Sequence, residues 1–242
     1  MYRKIITIFI LTSISYVGMS QFISLGVKGG AGFSIGNIYY EGKSKRTDGL
    51  RRLANFNGGL MLNLKISTRW YYHSEAIFED KGSKDIEHID SLPRNKNYYA
   101  ATLRERIHNY FIQFPQTIRF LIALSSNEKV LLYVEAGGYF AYYINSSTIS
   151  HLFYDNTVET NIDKIDWADE SSNLATFHRF NWGATVGVGF LFPIWKGQLD
   201  VNFKYDRMLQ PFVSQSNSEK NYYDVIGITL GYTLPVLYKD FH

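Results

Sequence analysis

Over residues 177–192 the chain alternates apolar with small or polar residues and holds its phase throughout. Phe180, Trp182, Ala184, Val186, Val188, Phe190 and Phe192 occupy one parity; Arg179, Asn181, Gly183, Thr185, Gly187 and Gly189 occupy the other. A period of two predicts a β-strand with one apolar face. Strands of soluble proteins usually run to about five or six residues, and this one is much longer. Its apolar face carries aromatics at both ends and small aliphatics between them. A strand crossing a bilayer needs that order: a lipid-facing band, an aromatic girdle at each interface and a polar interior.

The same alternation predicts seven further strands, over residues 22–34, 56–66, 69–81, 107–122, 129–144, 198–209 and 222–234. In the first, Ile23, Leu25, Val27, Ala31 and Phe33 oppose Ser24, Gly26, Lys28, Gly30 and Gly32. In the third, Trp70, Tyr72, Ala76 and Phe78 oppose Tyr71, His73, Glu75, Glu79 and Lys81. The seventh opposes Leu199, Val201, Phe203 and Tyr205 to Gln198, Asp200, Asn202, Lys204 and Asp206. Pro115 lies inside the fourth strand, where its missing N–H predicts a bulge or kink.

Strands one, three, five and seven are followed by long connections, residues 35–55, 83–106, 145–176 and 210–221. Strands two, four and six are followed by short ones: Ser67-Thr68, Ser125-Ser126-Asn127 and Pro193 to Gly197. The expected fold is therefore all-β: an eight-stranded antiparallel up-and-down transmembrane β-barrel with short periplasmic turns and long extracellular loops. On this topology Phe140, Tyr142, Phe180, Trp182, Tyr205 and Tyr222 form an outer girdle. Trp70, Tyr72, Phe120, Phe190, Phe192 and Tyr232 form a periplasmic one. The competing fold is a soluble lipocalin-like barrel with its apolar face inward. The abundance of Gly, Ser, Thr and Asn on the other face argues against it, since small residues suit a narrow lumen.

Composition agrees. Aromatics make up 17% of the 242 residues, with 19 Tyr and 17 Phe, and there is no cysteine. That excludes disulfides, thiolate metal sites and cysteine nucleophiles. Residues 1–20 read as a signal peptide: Arg3 and Lys4, an apolar run from Ile5 to Val17, then Gly18 and Ser20 before a cut at Gln21. Residues 21–242 form the barrel domain. Losing Arg3 and Lys4 takes the formal charge from +3 to +1, so no nucleic-acid partner is expected.

Several segments resemble a known family: Gly26–Ser34, Ser74–Gly82, Ile112–Phe120 with its mid-strand Pro115, Tyr133–Ile144, Asn181–Pro193 and Gly197–Leu209. The chain resembles outer-membrane β-barrel domain proteins of the PorT-like type over essentially its whole mature length. The resemblance implies an eight-stranded barrel in a Gram-negative outer membrane. It implies no particular activity. Such barrels often end on an aromatic of the last strand. Here Tyr232 is followed by ten more residues, so either strand eight continues past Pro235 or a short tail follows it.

The predicted lumen set is Lys28, Lys65, His73, Glu75, Glu79, Lys81, Arg119, Glu135, Arg179, Asp200, Lys204 and Asp206. Charges enclosed by eight strands must pair, because the interior is only wide enough to be filled by side chains. His73 and Glu75 share a face and could form a base and its orienter, whereas Ser74 points the other way. Near the outer rim, Ser172 and His178 are the nearest hydrolase candidates. Residues 35–55 carry Lys43, Lys45, Arg46, Arg51 and Arg52 against Glu41 and Asp48, net +3. That basic loop suits lipid phosphates. Residues 145–176 carry Asp155, Glu159, Asp163, Asp166, Asp169 and Glu170 against Lys164, net −5. That acidic loop suits Ca²⁺, though without EF-hand spacing.

No catalytic, cofactor-binding or metal residue is assigned, and no cofactor is expected. The expected function is non-enzymatic: a filled outer-membrane barrel whose extracellular loops bind, adhere or join an envelope complex. Its partners would be outer-membrane lipid or lipopolysaccharide and an envelope protein. The alternatives are a small solute channel, a periplasmic lipocalin-like lipid binder and a lipid-modifying enzyme.

Overall fold

The computed structural model describes residues 22–40, 43–44, 52–94, 97–123, 130–154, 157–165, 175–215 and 220–238. The expected signal peptide, residues 1–20, lies outside them, as do Ser125-Ser126-Asn127 and Ser172. Eight long strands make the wall: β1 (Phe22–Tyr40), β2 (Leu53–Lys65), β3 (Trp70–Arg94), β4 (Asn97–Ala123), β5 (Leu131–Tyr154), β6 (Phe180–Ile194), β7 (Gly197–Met208) and β8 (Lys220–Tyr238). Each pairs antiparallel with its sequence neighbour, and β8 pairs back onto β1, which closes the ring. Four short strands, Lys43–Ser44, Thr157–Ile165, Ala175–Phe177 and Val213–Gln215, join the same sheet at one end.

Burial follows strand parity, but with the apolar face outward. Val27, Phe56, Leu60, Phe140, Phe180, Ile226, Ile228 and Leu230 are exposed, whereas Lys28, Glu75, Arg119, Thr185, Asn202 and Thr229 are buried. The lipocalin-like alternative requires the reverse and is overturned by this arrangement. Strand β8 runs on through Pro235 to Tyr238, facing Phe22, with a register shift between Ile23 and Ser24. That settles the C-terminal alternative in favour of a continued strand as far as residue 238.

The bulge expected at Pro115 is absent. Against β5, Pro115 pairs with Tyr139 in unbroken register, and the shift falls instead between Tyr110 and Phe111. Against β3, the ladder skips from Ser74–Gln116 to Ile77–Gln113 without changing register. The missing N–H thus costs local pairing without adding a residue.

The long connections differ more. Residues 83–94 and 97–106 are strand rather than loop: β3 and β4 pair from Trp70–Phe120 to Arg94–Asn97. Much of 145–176 is also strand, since β5 continues to Tyr154 and pairs with Thr157–Ile165. The result is a four-stranded sheet of β3, β4, β5 and Thr157–Ile165 that continues the wall past the ends of β2 and β7. Where β2 stops at Leu53, β1 reaches β3 directly. Ser34 Oγ donates to the Gly82 carbonyl (2.7 Å) and accepts from the Gly82 N–H (2.8 Å).

At the other end the connections are tight. Ile194 and Gly197 flank a two-residue turn in which Trp195 has φ 52° and is 95% exposed.

Candidate functional site: the filled lumen and the projecting sheet

The lumen is packed in three layers. Nearest the projecting sheet, Phe111, Tyr139, Ala141, Tyr143, Met208, Phe212 and Tyr223 form an apolar cluster. Nearest the tight turns, Leu121, Tyr133 and Leu191 form a second one, with Tyr71 and Leu131 against it. Inward-facing glycines make room for the rings. A methyl added at Gly189 would run into the Tyr133 ring, and one at Gly183 into the Tyr139 ring. The small-residue face of β6 therefore exists to receive tyrosines from β5.

Between the clusters lies a network of ion pairs. Glu75 is its hub: its carboxylate accepts from Lys28 Nζ at 2.6 Å, His73 Nε2 at 2.7 Å and Lys204 Nζ at 3.0 Å. His73 is fixed on its other side, with Nδ1 2.5 Å from Asn63 Oδ1. Toward the turns, Arg119 Nε donates to Glu135 (2.7 Å) and its Nη1 to Asp200 (2.8 Å). The Arg119 guanidinium also lies 4.3 Å over the Tyr133 ring, whose hydroxyl donates to Asp200 at 2.6 Å. Asn202 completes Glu135 at 2.7 Å. Toward the sheet, Lys81 pairs with Glu79 (3.1 Å), donates to Gln113 Oε1 (2.5 Å) and lies 4.5 Å over Tyr139. Gln113 passes the contact on to Asp206 at 3.1 Å.

Of the sequence-predicted lumen residues, Lys28, His73, Glu75, Glu79, Lys81, Arg119, Glu135, Asp200, Lys204 and Asp206 are all brought together, each 8% exposed or less. Two are not. Lys65 is only half-buried near the turns. Arg179 sits in the bend before β6 and its Nη1 lies 3.4 Å from the Tyr142 hydroxyl, on the parity that faces outward. The strand begins one residue after Arg179, so its alternation does not govern that side chain. Parity also puts Asn63, Gln113, Asn202 and Tyr139 on the inward face, where the three amides link the charges and the Tyr139 ring carries Lys81; a set chosen by charge left them out, along with Tyr133, whose ring carries Arg119.

The His73–Glu75 pair has hydrogen-bond geometry but no access: both side chains are 0% exposed. Ser74 faces outward and accepts from Gln116 Nε2 at 2.9 Å; Gln116 Oε1 accepts from the Tyr72 hydroxyl. His178 lies in the bend before β6, its N–H donating to the Phe212 carbonyl at 3.0 Å. The side chains of the basic set from Lys43 to Arg51 lie outside the described residues, as do those of Asp155, Asp163, Asp166, Asp169 and Glu170.

Among curated protein sequences none matches the chain. Among solved structures it is similar to Ail of Yersinia pestis in complex with the heparin analogue sucrose octasulfate (10% identity, TM-score 0.32, 88% of this chain and 99% of that one). It is also similar to the outer membrane protein OprG of Pseudomonas aeruginosa (12%, 0.38, 90% and 98%). A third is the outer membrane protease OmpT of Escherichia coli (11%, 0.32, 89% and 97%). At such values no function transfers. The family model described as outer membrane protein beta-barrel domain matches residues 19–214. Most of the chain is covered, and the protein belongs to the outer membrane protein β-barrel domain family.

Proposed function

We propose that this outer-membrane barrel is non-enzymatic and that its projecting sheet binds an extended segment of another protein, at the cell surface or in an envelope complex. The short turns face the periplasm and the paired hairpins face outward. One observation carries the reading: the strand Thr157–Ile165, at the end of the projecting sheet, presents an open apolar face. It pairs with β5, and its side chains Val158 and Ile162 are 53% and 62% exposed. Apolar side chains repeated on one face of a strand at the end of a sheet suit an extended segment laid against that sheet.

The filled lumen supports the same reading by leaving the barrel little room for transport or chemistry. The narrower PorT-like assignment rests on the segments that resemble that family, Gly26–Ser34 and Ile112–Phe120 among them. It carries no secretion role here.

Selection from a random peptide display against the protein in nanodiscs tests the proposal. Recovered peptides should alternate apolar residues, and Val158→Lys with Ile162→Lys should abolish their binding. Enrichment no better than on empty nanodiscs would count against it.

A further inference from the structure

We propose that the outward face of the projecting sheet, immediately beyond the aromatic girdle, binds phosphate groups of an outer-leaflet glycolipid through Lys84, Arg104 and Arg106. The proposal rests on the orientation given above, with the hairpins outside.

Register places the three cations together. Lys84 stands directly opposite Arg106 across the β3–β4 ladder, and Arg104 lies one same-face step further along β4. Like charges directly opposite each other destabilise a sheet, so this rung is improved by an anion. Arg104 and Arg106 are exposed and Lys84 is half-buried. The Arg104 guanidinium is held 4.7 Å over the Phe153 ring of β5, which pre-orders its fork for a phosphate. Among the described residues no carboxylate pairs with any of the three. Asp80 shares their face but is 1% exposed and accepts from His108 Nδ1 at 2.7 Å. Glu105 has the opposite parity and accepts from Ser150 Oγ at 3.3 Å.

The height of the rung selects the source of the phosphate. On the same face of β4, Ile112 and Phe114 belong to the exposed apolar band. Tyr110, stacked on Phe78 at 5.6 Å, begins the girdle. Arg106 is four residues beyond Tyr110. At about 3.4 Å per residue and a tilt of about 40°, that is roughly 10 Å further along the barrel axis. This is the depth of lipid headgroups rather than of hydrocarbon. Guanidinium groups there bind phosphate oxygens in bidentate, charge-assisted pairs.

The test uses full-length protein in detergent micelles, titrated with a bis-phosphorylated glycolipid and with the same lipid after enzymatic dephosphorylation. Wild type should bind the phosphorylated form at least about tenfold more tightly. The triple variant Lys84→Gln, Arg104→Gln, Arg106→Gln should lose that preference, Arg106→Gln alone should lose part of it, and Lys196→Gln at the opposite end should keep it. Heat-modifiability on gels establishes that each variant is folded. Millimolar inorganic phosphate should leave the lipid bound. Equal preference in wild type and triple variant, or full displacement by free phosphate, overturns the proposal. A single cysteine placed by Val158→Cys should be labelled on intact cells by a membrane-impermeant maleimide. Absence of labelling overturns the orientation itself and so separates that failure from a failure of the phosphate site.

Discussion

Replacing Arg119 by methionine is expected to destabilise the barrel by about 3–5 kcal/mol, the usual cost of breaking a buried ion pair from one side. Arg119 is 2% exposed and holds Glu135 and Asp200 at 2.7 and 2.8 Å. Without it, Glu135 and Asp200 lose the cation that bridges them. The Tyr133 ring also loses the guanidinium stacked on it. The measurement is the urea midpoint of protein refolded into vesicles, followed by tryptophan fluorescence. Removing the whole group together, by Arg119→Met, Glu135→Gln and Asp200→Asn, should recover most of the loss, since an intact buried network contributes little net stability. An unchanged midpoint for Arg119→Met alone would mean that water reaches the site and the lumen is not packed.

The second large effect is expected on the outside of the wall. Ile228 lies in the middle of the lipid-facing run Ile226, Ile228, Leu230 on β8 and is 49% exposed. Ile228→Arg should cost about 2–4 kcal/mol, as for a cation at the bilayer midplane. Ile162 is more exposed, at 62%, yet it lies on the projecting sheet. Ile162→Arg should cost about 0.5 kcal/mol or less, as ordinary surface substitutions do. Both side chains are exposed to the surroundings of the wall, so a difference in exposure does not account for a gap of this size. The comparison therefore separates burial in lipid from burial in protein. Equal small losses would show that the apolar face does not meet lipid.

The wall and its lumen were largely legible because burial in the membrane imposes parity. A one-residue slip would put Glu75 into lipid and Phe78 into the lumen, so the alternation is strict wherever hydrocarbon is present. Beyond the girdle that constraint disappears. Over Lys84-Asp85-Ile86-Glu87-His88 the sequence loses the apolar period, and a paired strand reads as a loop. The strand Thr157–Ile165 and the rung of Lys84, Arg104 and Arg106 were hidden for that reason. Which charges pair was also not legible. Lys204 meets Glu75 from 129 residues away, a contact set by ring closure and stagger rather than by any local spacing. Arg179 failed for a smaller reason: the phase of β6 was extended one residue past the end of the strand.

The claim that most needs testing is that side chains fill the barrel. A water-filled pore leaves its lining accessible, whereas His73, Lys81, Gln113 and Tyr133 are each 0% exposed. Full-length protein reconstituted into planar bilayers should give no discrete conductance steps at any applied potential the membrane tolerates. Reproducible unitary steps, absent from bilayers without the protein, would contradict the filled lumen and make the barrel a channel.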